Sequence, residues 1–230
     1  MSEKETVMNA TINDGAVAVK RALGLVDPLN DFGSETHGDG NGNTAQLPVP
    51  EGELIGAPIG QLQEKGGYDY TFAGLDQHDR KMFNFASQNP GRTPYVDQVL
   101  DRDGQPATVY PDHCIEKTWG AQFLPGVRAD LVDEIFPKGD SIDKDSYSAC
   151  GNPNLLPRLR QLGITHVDLV GLVFRICVGM TAVDLAKAGF KVRVVMDCTR
   201  DLEIPAFEPV IAEMKALGVE LVNSCDIIGN

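Results

Sequence analysis

Apolar and polar positions follow a repeating order along the C-terminal half of the chain. Three helix-period segments, "LLPRLRQLG", "VGMTAVDLAKAG" and "VIAEMKALG", each close on a glycine: Gly163, Gly189 and Gly218. A short β-branched run follows each of them, "ITHVDLVGLV", "FKVRVVMD" and "VELVNS". Glycine is the residue expected just past a helix end, where a left-handed backbone carries no Cβ penalty. Strands alternating with helices of this length predict right-handed βαβ crossovers and a parallel sheet. The runs "VDLVGLV" and "VRVVMD" are apolar almost throughout, as strands covered on both faces should be. An all-helical bundle would not place β-branched runs at these points.

The N-terminal half is less regular. "RALGLVD" predicts a strand ending at Asp27 and "YTFAGLD" another ending at Asp76, with "GELIGAPIGQLQEKGG" as the helix between them. "GSETHGDGNGNTAQLPVPEG" is polar and rich in glycine and proline, which predicts a long loop. Residues 1–18 read as an additional arm and 19–230 as one domain, because no repeat appears beyond the βα alternation. A length of 230 residues suits that reading.

Composition narrows the classes of function. The chain is 42% hydrophobic and 23% charged, enough apolar material for a sizeable core. A net charge of -13 argues against a nucleic-acid partner or an anionic membrane surface, and leaves a small neutral substrate open. The opening "MSEKETVMNATINDG" lacks the pattern of a signal peptide, and no stretch approaches the roughly 18 apolar residues of a membrane span. A cytoplasmic location is expected; homo-oligomerisation is left open. The cysteines, Cys114, Cys150, Cys177, Cys198 and Cys225, are scattered and include no CxxC pair, so neither a disulfide framework nor a thiolate zinc knuckle is expected.

Ligands of open parallel sheets bind at the carboxyl ends of the strands, which makes the polar residues there the candidates. Cys177 follows "GLVFRI" about where the next helix starts. Free cysteine is among the most buried residue types, so core filler is its plainest reading. At a helix N-terminus, however, free N–H groups favour thiolate and can hold an oxyanion. Asp27 could take the thiol proton, or could cap the turn before Pro28. Lys138 precedes a Gly-Asp turn, where lysine is usually solvated, and gains meaning only in company with Asp27 and Cys177. Asp76 and His78 stand two residues apart, on one side of a strand. With His113 of "YPDHC" they offer oxygen and nitrogen donors that suit zinc, iron or manganese. His37 falls in the long loop and His166 begins a strand, so neither fits as well.

Taken together, these segments resemble the isochorismatase-like cysteine hydrolases and, within them, the nicotinamidases. The resemblance runs in order through "ALGLVDPLNDF", "GLDQHD" with "FNFAS", "VYPDHC" with "TWGAQF", "FPKGDSIDKDSYSA" and "GLVFRICVGMTAVDLAKAGFKVRVVMDCTR". The Asp-x-His and "PDHC" segments are similar to the metal-bearing branch. The resemblance implies a three-layer α/β/α, Rossmann-like fold around a six-stranded, mostly parallel sheet. It implies Asp27, Lys138 and Cys177 as the catalytic triad. It also implies Asp76, His78 and His113 as ligands of one divalent metal ion, zinc first, with iron or manganese as alternatives. A cis peptide is implied between Leu172 and Val173, and an oxyanion hole from the N–H groups of Val173 and Cys177. Phe32, Tyr110 and Tyr147 match positions that wall the substrate ring.

The implied activity is hydrolysis of nicotinamide, and of pyrazinamide, through a cysteine thioester, feeding NAD salvage. Three features depart from the family pattern. Val173, Phe174 and Arg175 precede the cysteine where a small residue, Thr or Leu, and Asp are common, which is expected to alter the pocket rim. Met82 stands where some members place an extra metal ligand, so three protein ligands are expected. The loop from Gly33 to Pro50 is longer than usual. Two alternatives remain beside this reading: an amide hydrolase for a non-pyridine substrate such as an N-carbamoyl compound or maleamate, and a non-catalytic binding protein on the same fold.

Overall fold

The structure, a computed structural model, describes residues 19–138, 141–202, 204 and 207–229. The arm expected at residues 1–18 lies outside the described residues. In chain order the elements are β1 (Arg21–Val26), α1 (Gly56–Lys65), β2 (Tyr70–Asp76), β3 (Gln98–Leu100), β4 (Pro106–Thr108), β5 (Glu134–Lys138), α2 (Leu155–Gln161), β6 (His166–Leu172), α3 (Gly179–Lys187), β7 (Lys191–Arg200), α4 (Glu208–Ala216), β8 (Glu220–Val222) and α5 (Cys225–Ile228). Six strands form one parallel sheet in the order β5-β2-β1-β6-β7-β8. The sheet explains the apolar runs: β2 is buried at every position, and β6 at every position after His166. Gly163, Gly189 and Gly218 all adopt positive φ, as the ends of α2, α3 and α4 require.

Chain direction sets the layers. From β1 to β2 the chain moves one way across the sheet, and from β6 onward it moves the other way. Right-handed crossovers then place α1 on one face and α2, α3 and α4 on the opposite one. Contacts agree: α3 packs on α4, and α5 packs beside α1. The reversal between β1 and β6 opens a crevice at the carboxyl ends of these central strands, where ligands bind in such sheets.

Four short elements, β3, β4, β5 and α5, had no counterpart in the sequence reading. The β3–β4 hairpin is a small antiparallel pair apart from the main sheet. β5 is an edge strand, and only at an edge is its Pro137 tolerated, because proline cannot donate to a ladder. Near the crevice the backbone is shaped for close approach. Gly171 has φ +116°, and a Cβ there would lie 1.8 Å from the Val26 carbonyl oxygen. The peptide between Leu172 and Val173 is cis, as the resemblance implied.

The stretch from Gly33 to Pro50 is indeed a loop, but an anchored one. The His37 ring lies against Trp119 at 5.3 Å and its Nε2 is 3.0 Å from Asn30 Oδ1. The Leu47 N–H donates to the Asp31 carbonyl, and the Val49 N–H to that of Gly33.

Candidate active site

Asp27 follows β1 directly, with φ +46°, a left-handed conformation uncommon outside glycine. Lys138 ends β5 and is paired in register with Asp76 at the end of β2. Cys177 lies in a π-helical turn, Phe174–Val178, that leads from β6 into α3. One oxygen each of Asp27 and Asp76 and the Cys177 sulfur all fall within 4.8 Å of one another. The parallel sheet thus gathers groups that are far apart in the chain, and Lys138 is fully buried with them rather than solvated.

The lysine is also fully partnered. Its Nζ donates to Asp27 Oδ2 and, at 2.8 Å, to the Tyr147 carbonyl oxygen, and it lies 3.2 Å from Asp76 Oδ1. Asp27 Oδ1 accepts the Asp76 N–H at 2.6 Å. Two carboxylates therefore share one ammonium, and they divide the charge unequally. Burial, and after it the Asp76 carboxylate, raises the Asp27 pKa to about 7 against the pull of Lys138. Burial also opposes charge on Asp76, yet Lys138, His78 and His113 outweigh it and hold that carboxyl well below the usual range. Burial disfavours the Lys138 ammonium as well, but Asp27, Asp76 and Cys177 together keep it protonated far above its ordinary range.

The thiol corrects one expectation. A helix N-terminus alone predicts a thiolate. Burial instead pushes Cys177 well above the ordinary thiol value, the two carboxylates add to that, and Lys138 only partly offsets it. The resting group is a neutral thiol beside an acceptor poised near pH 7, and it needs that acceptor to react. Burial raises Cys150 as well, to about 12, so a raised pKa does not set Cys177 apart. Its neighbours do.

Asp76 links this group to a second one. Donor atoms of Asp76, His78 and His113 lie within 4.8 Å of one another, all three residues buried. The His113 Nδ1 is 2.8 Å from the Pro111 carbonyl oxygen, which leaves Nε2 to act as a ligand. His78 Nδ1 is buried without a hydrogen-bond partner among the described residues. Two imidazoles, a carboxylate and an orphaned ring nitrogen form a donor set that fits a divalent cation.

Both groups open on a cavity of about 60 Å³ that reaches Asp76, His113 and Cys177. Phe32, Tyr110 and Tyr147, the three expected ring-wall residues, line it along with Val173. The Tyr110 and Tyr147 hydroxyls are 3.0 Å apart. The sequence reading missed Leu47, Tyr95, Asp145, Ile176, Leu202 and Ile204 on the same wall. Asp145, inside the quoted "DKDSYSA", was the one most open to discovery; the others carry no signal beyond being apolar. Of the three residues expected to alter the rim, Val173 lines the cavity, whereas Phe174 and Arg175 are not among its lining residues. Phe174 is packed in the core, and Arg175 turns to Asp201 at 2.6 Å and to Glu208. A guanidinium with carboxylate partners at hand has no reason to enter an apolar cavity.

Comparison with known proteins gives consistent matches. A profile for the Isochorismatase domain matches residues 83–226. The nicotinamidase of Escherichia coli (strain K12) is 33% identical over 218 residues, covering 90% of this chain and 96% of the relative. Among solved structures, a nicotinamidase and pyrazinamidase from Acinetobacter baumanii superposes with a TM-score of 0.78 at 28% identity, covering 90% of this chain and 97% of that one. A pyrazinamidase of Pyrococcus horikoshii in complex with zinc superposes with a TM-score of 0.66 at 28% identity, covering 89% and 99%.

Proposed function

Because the chain belongs to the isochorismatase family, we propose that it is a nicotinamidase, hydrolysing nicotinamide to nicotinate and ammonia and accepting pyrazinamide. The observation that carries this reading is the joining of the Asp27–Lys138–Cys177 group and the Asp76–His78–His113 group at one small cavity. One water-sized position takes about 10–15 Å³, so roughly 60 Å³ offers several such positions and suits a single ring.

Asp27 accepts the Cys177 proton as the sulfur adds to the carboxamide carbon. Lys138 remains protonated and keeps Asp27 in place. The N–H groups of Val173 and Cys177 receive the oxyanion. When the tetrahedral adduct collapses, Asp27 returns the proton to nitrogen and ammonia leaves, giving a thioester. Asp27 then takes a proton from water as its oxygen adds to the thioester carbon; the acid is released and the thiol is restored. Phe32, Tyr110 and Tyr147 pack on the ring and hold the amide against the sulfur. A divalent ion, zinc in our reading, would be held by Asp76, His78 and His113 and would supply an open coordination position for the ring nitrogen.

The partner is then a small neutral molecule in the cytoplasm, with neither nucleic acid nor membrane involved; among the described residues no helix is long and apolar enough to cross a membrane. Ammonia release from nicotinamide and from benzamide, which lacks the ring nitrogen, tests the reading. Nicotinamide should be favoured by about a hundredfold or more in kcat/KM, and His78→Ala should flatten the preference. Equal rates on the two amides would point to the non-pyridine amidase.

A further inference from the structure

The long loop from Gly33 to Pro50 is not used by the chemistry above, yet it meets the substrate cavity from two sides. Its Leu47 lines the inner cavity. Its Ser34, Glu35, Thr36, Pro48 and Pro50 line a separate groove of about 500 Å³, closed on the far side by Leu202. Leu202, a half-buried aliphatic side chain, belongs to both linings, so the two spaces adjoin at that residue. The loop is held in that position by the bonds of His37, Leu47 and Val49.

We propose that this groove is an outer subsite that takes the substituent of a ring-substituted nicotinamide, with Leu202 as the partition that decides how large a substituent passes. The inference rests on the nicotinamidase reading. In that reading the ring is fixed at two points, its nitrogen and the carbon bearing the carboxamide. Those positions are meta to each other, so the ring carbon at position 5 points directly away from both. A group there must leave the inner cavity on the side away from the anchors, and Leu202 is the residue whose side chain lines both the inner cavity and this groove. The chemistry of the groove selects the group. Two prolines offer apolar surface, and among the described residues Glu35 is the one carboxylate in the lining and no Lys, Arg or His lines it. A neutral alkyl or a cationic aminoalkyl group is therefore favoured over an anionic one.

Steady-state kinetics on four amides tests this: nicotinamide and its 5-propyl, 5-(3-aminopropyl) and 5-(2-carboxyethyl) derivatives. Leu202→Ala should raise kcat/KM for the propyl compound, relative to nicotinamide in the same protein, by about tenfold or more, the scale of a few methylenes admitted to an apolar space. Leu202→Phe, which covers the case of an unstable alanine variant, should lower that ratio. The aminopropyl compound should exceed the carboxyethyl compound severalfold, and Glu35→Gln should shrink that gap while leaving the propyl ratio in place. The inference is overturned if Leu202→Ala changes all four substrates by one common factor, or if Glu35→Gln leaves the charge preference untouched. Failure of the wild-type protein to act on nicotinamide itself would instead remove the reading on which the subsite rests.

Discussion

The same sheet buries ionic groups at both ends of its strands, and the two ends are built on opposite ratios. Toward the amino ends, Asp168 of β6 is 1% exposed and accepts from Arg21 of β1, Arg193 of β7 and the Tyr68 hydroxyl at 2.6–2.8 Å. Two cations serve one carboxylate, and although burial opposes its charge, Arg193, Tyr68 and Arg21 hold the Asp168 carboxyl below its usual value. At the carboxyl ends, two carboxylates share Lys138, and Asp27 is raised to about 7. Depth does not distinguish them; stoichiometry does. A fully compensated charge is inert, and an under-compensated one keeps a proton to exchange near neutral pH.

The comparison breaks most visibly in activity. Asp27→Asn or Cys177→Ala should lower kcat by roughly 10³-fold or more, whereas Asp168→Asn should stay within about threefold of the wild type. Combining Asp27→Asn with Lys138→Ala should cost little beyond the worse single change, because the two act as one proton-transfer unit. Additive losses would show that they work separately.

Stability should respond with opposite signs at the two ends. Asp168→Asn strands two guanidiniums that are 28% and 29% exposed, and should cost about 2–3 kcal/mol, less than for a fully buried pair. Asp27→Asn should stabilise the metal-stripped protein at pH 8, by up to about 4 kcal/mol for a shift from near 4 to about 7. Denaturant midpoints of both variants at pH 8 check the signs. Destabilisation by Asp27→Asn would mean that the ionised carboxylate is fully compensated after all.

The finest test is the pH course of the same differences. Asp27 has a folded pKa above its unfolded one. Its stabilising contribution is complete below about pH 4 and is lost as pH rises through about 7, so the advantage of Asp27→Asn should grow over that interval. Asp168 is the reverse case. Its contribution holds above about pH 4 and is lost as pH falls through its depressed folded value, so the penalty of Asp168→Asn should fade in acid. Parallel pH courses for the two variants would contradict the difference in charge ratio.

What the sequence made legible follows from the same geometry. β1, β2, β6 and β7 stood out because central parallel strands are largely apolar, and the edge strand β8 stood out as the β-branched run after Gly218. Asp27, Asp76 and Cys177 stood out as polar breaks at strand ends. β5 was not visible: "EIFPK" is a half-exposed edge strand of five residues with a proline, too short for a period to show. Lys138 was singled out through the company of Asp27 and Cys177 and the family resemblance, not from its own surroundings, since only the pairing of β5 with β2 turns a lysine before a turn into a buried ammonium. Leu202 and Tyr95 could not be found either, because apolar residues in loops have no period. Arg175 misled for a different reason. Position beside a nucleophile does not fix where a long side chain goes when Asp201 and Glu208 are within reach.

The place of β1 in the strand order has a consequence during synthesis. Its register partners are Tyr70 on one side and His166 on the other, with about 145 residues between β1 and β6. At about 5–20 residues per second, a ribosome needs roughly 7–30 s to make that interval. Throughout it, the most apolar strand of the N-terminal half presents an open edge, the surface that invites aggregation. Chains stalled before residue 166 should be cut readily by protease, and protection should arise only once β6 has emerged. Protection of shorter chains would show that β1, β2 and β5 hold together without their other half.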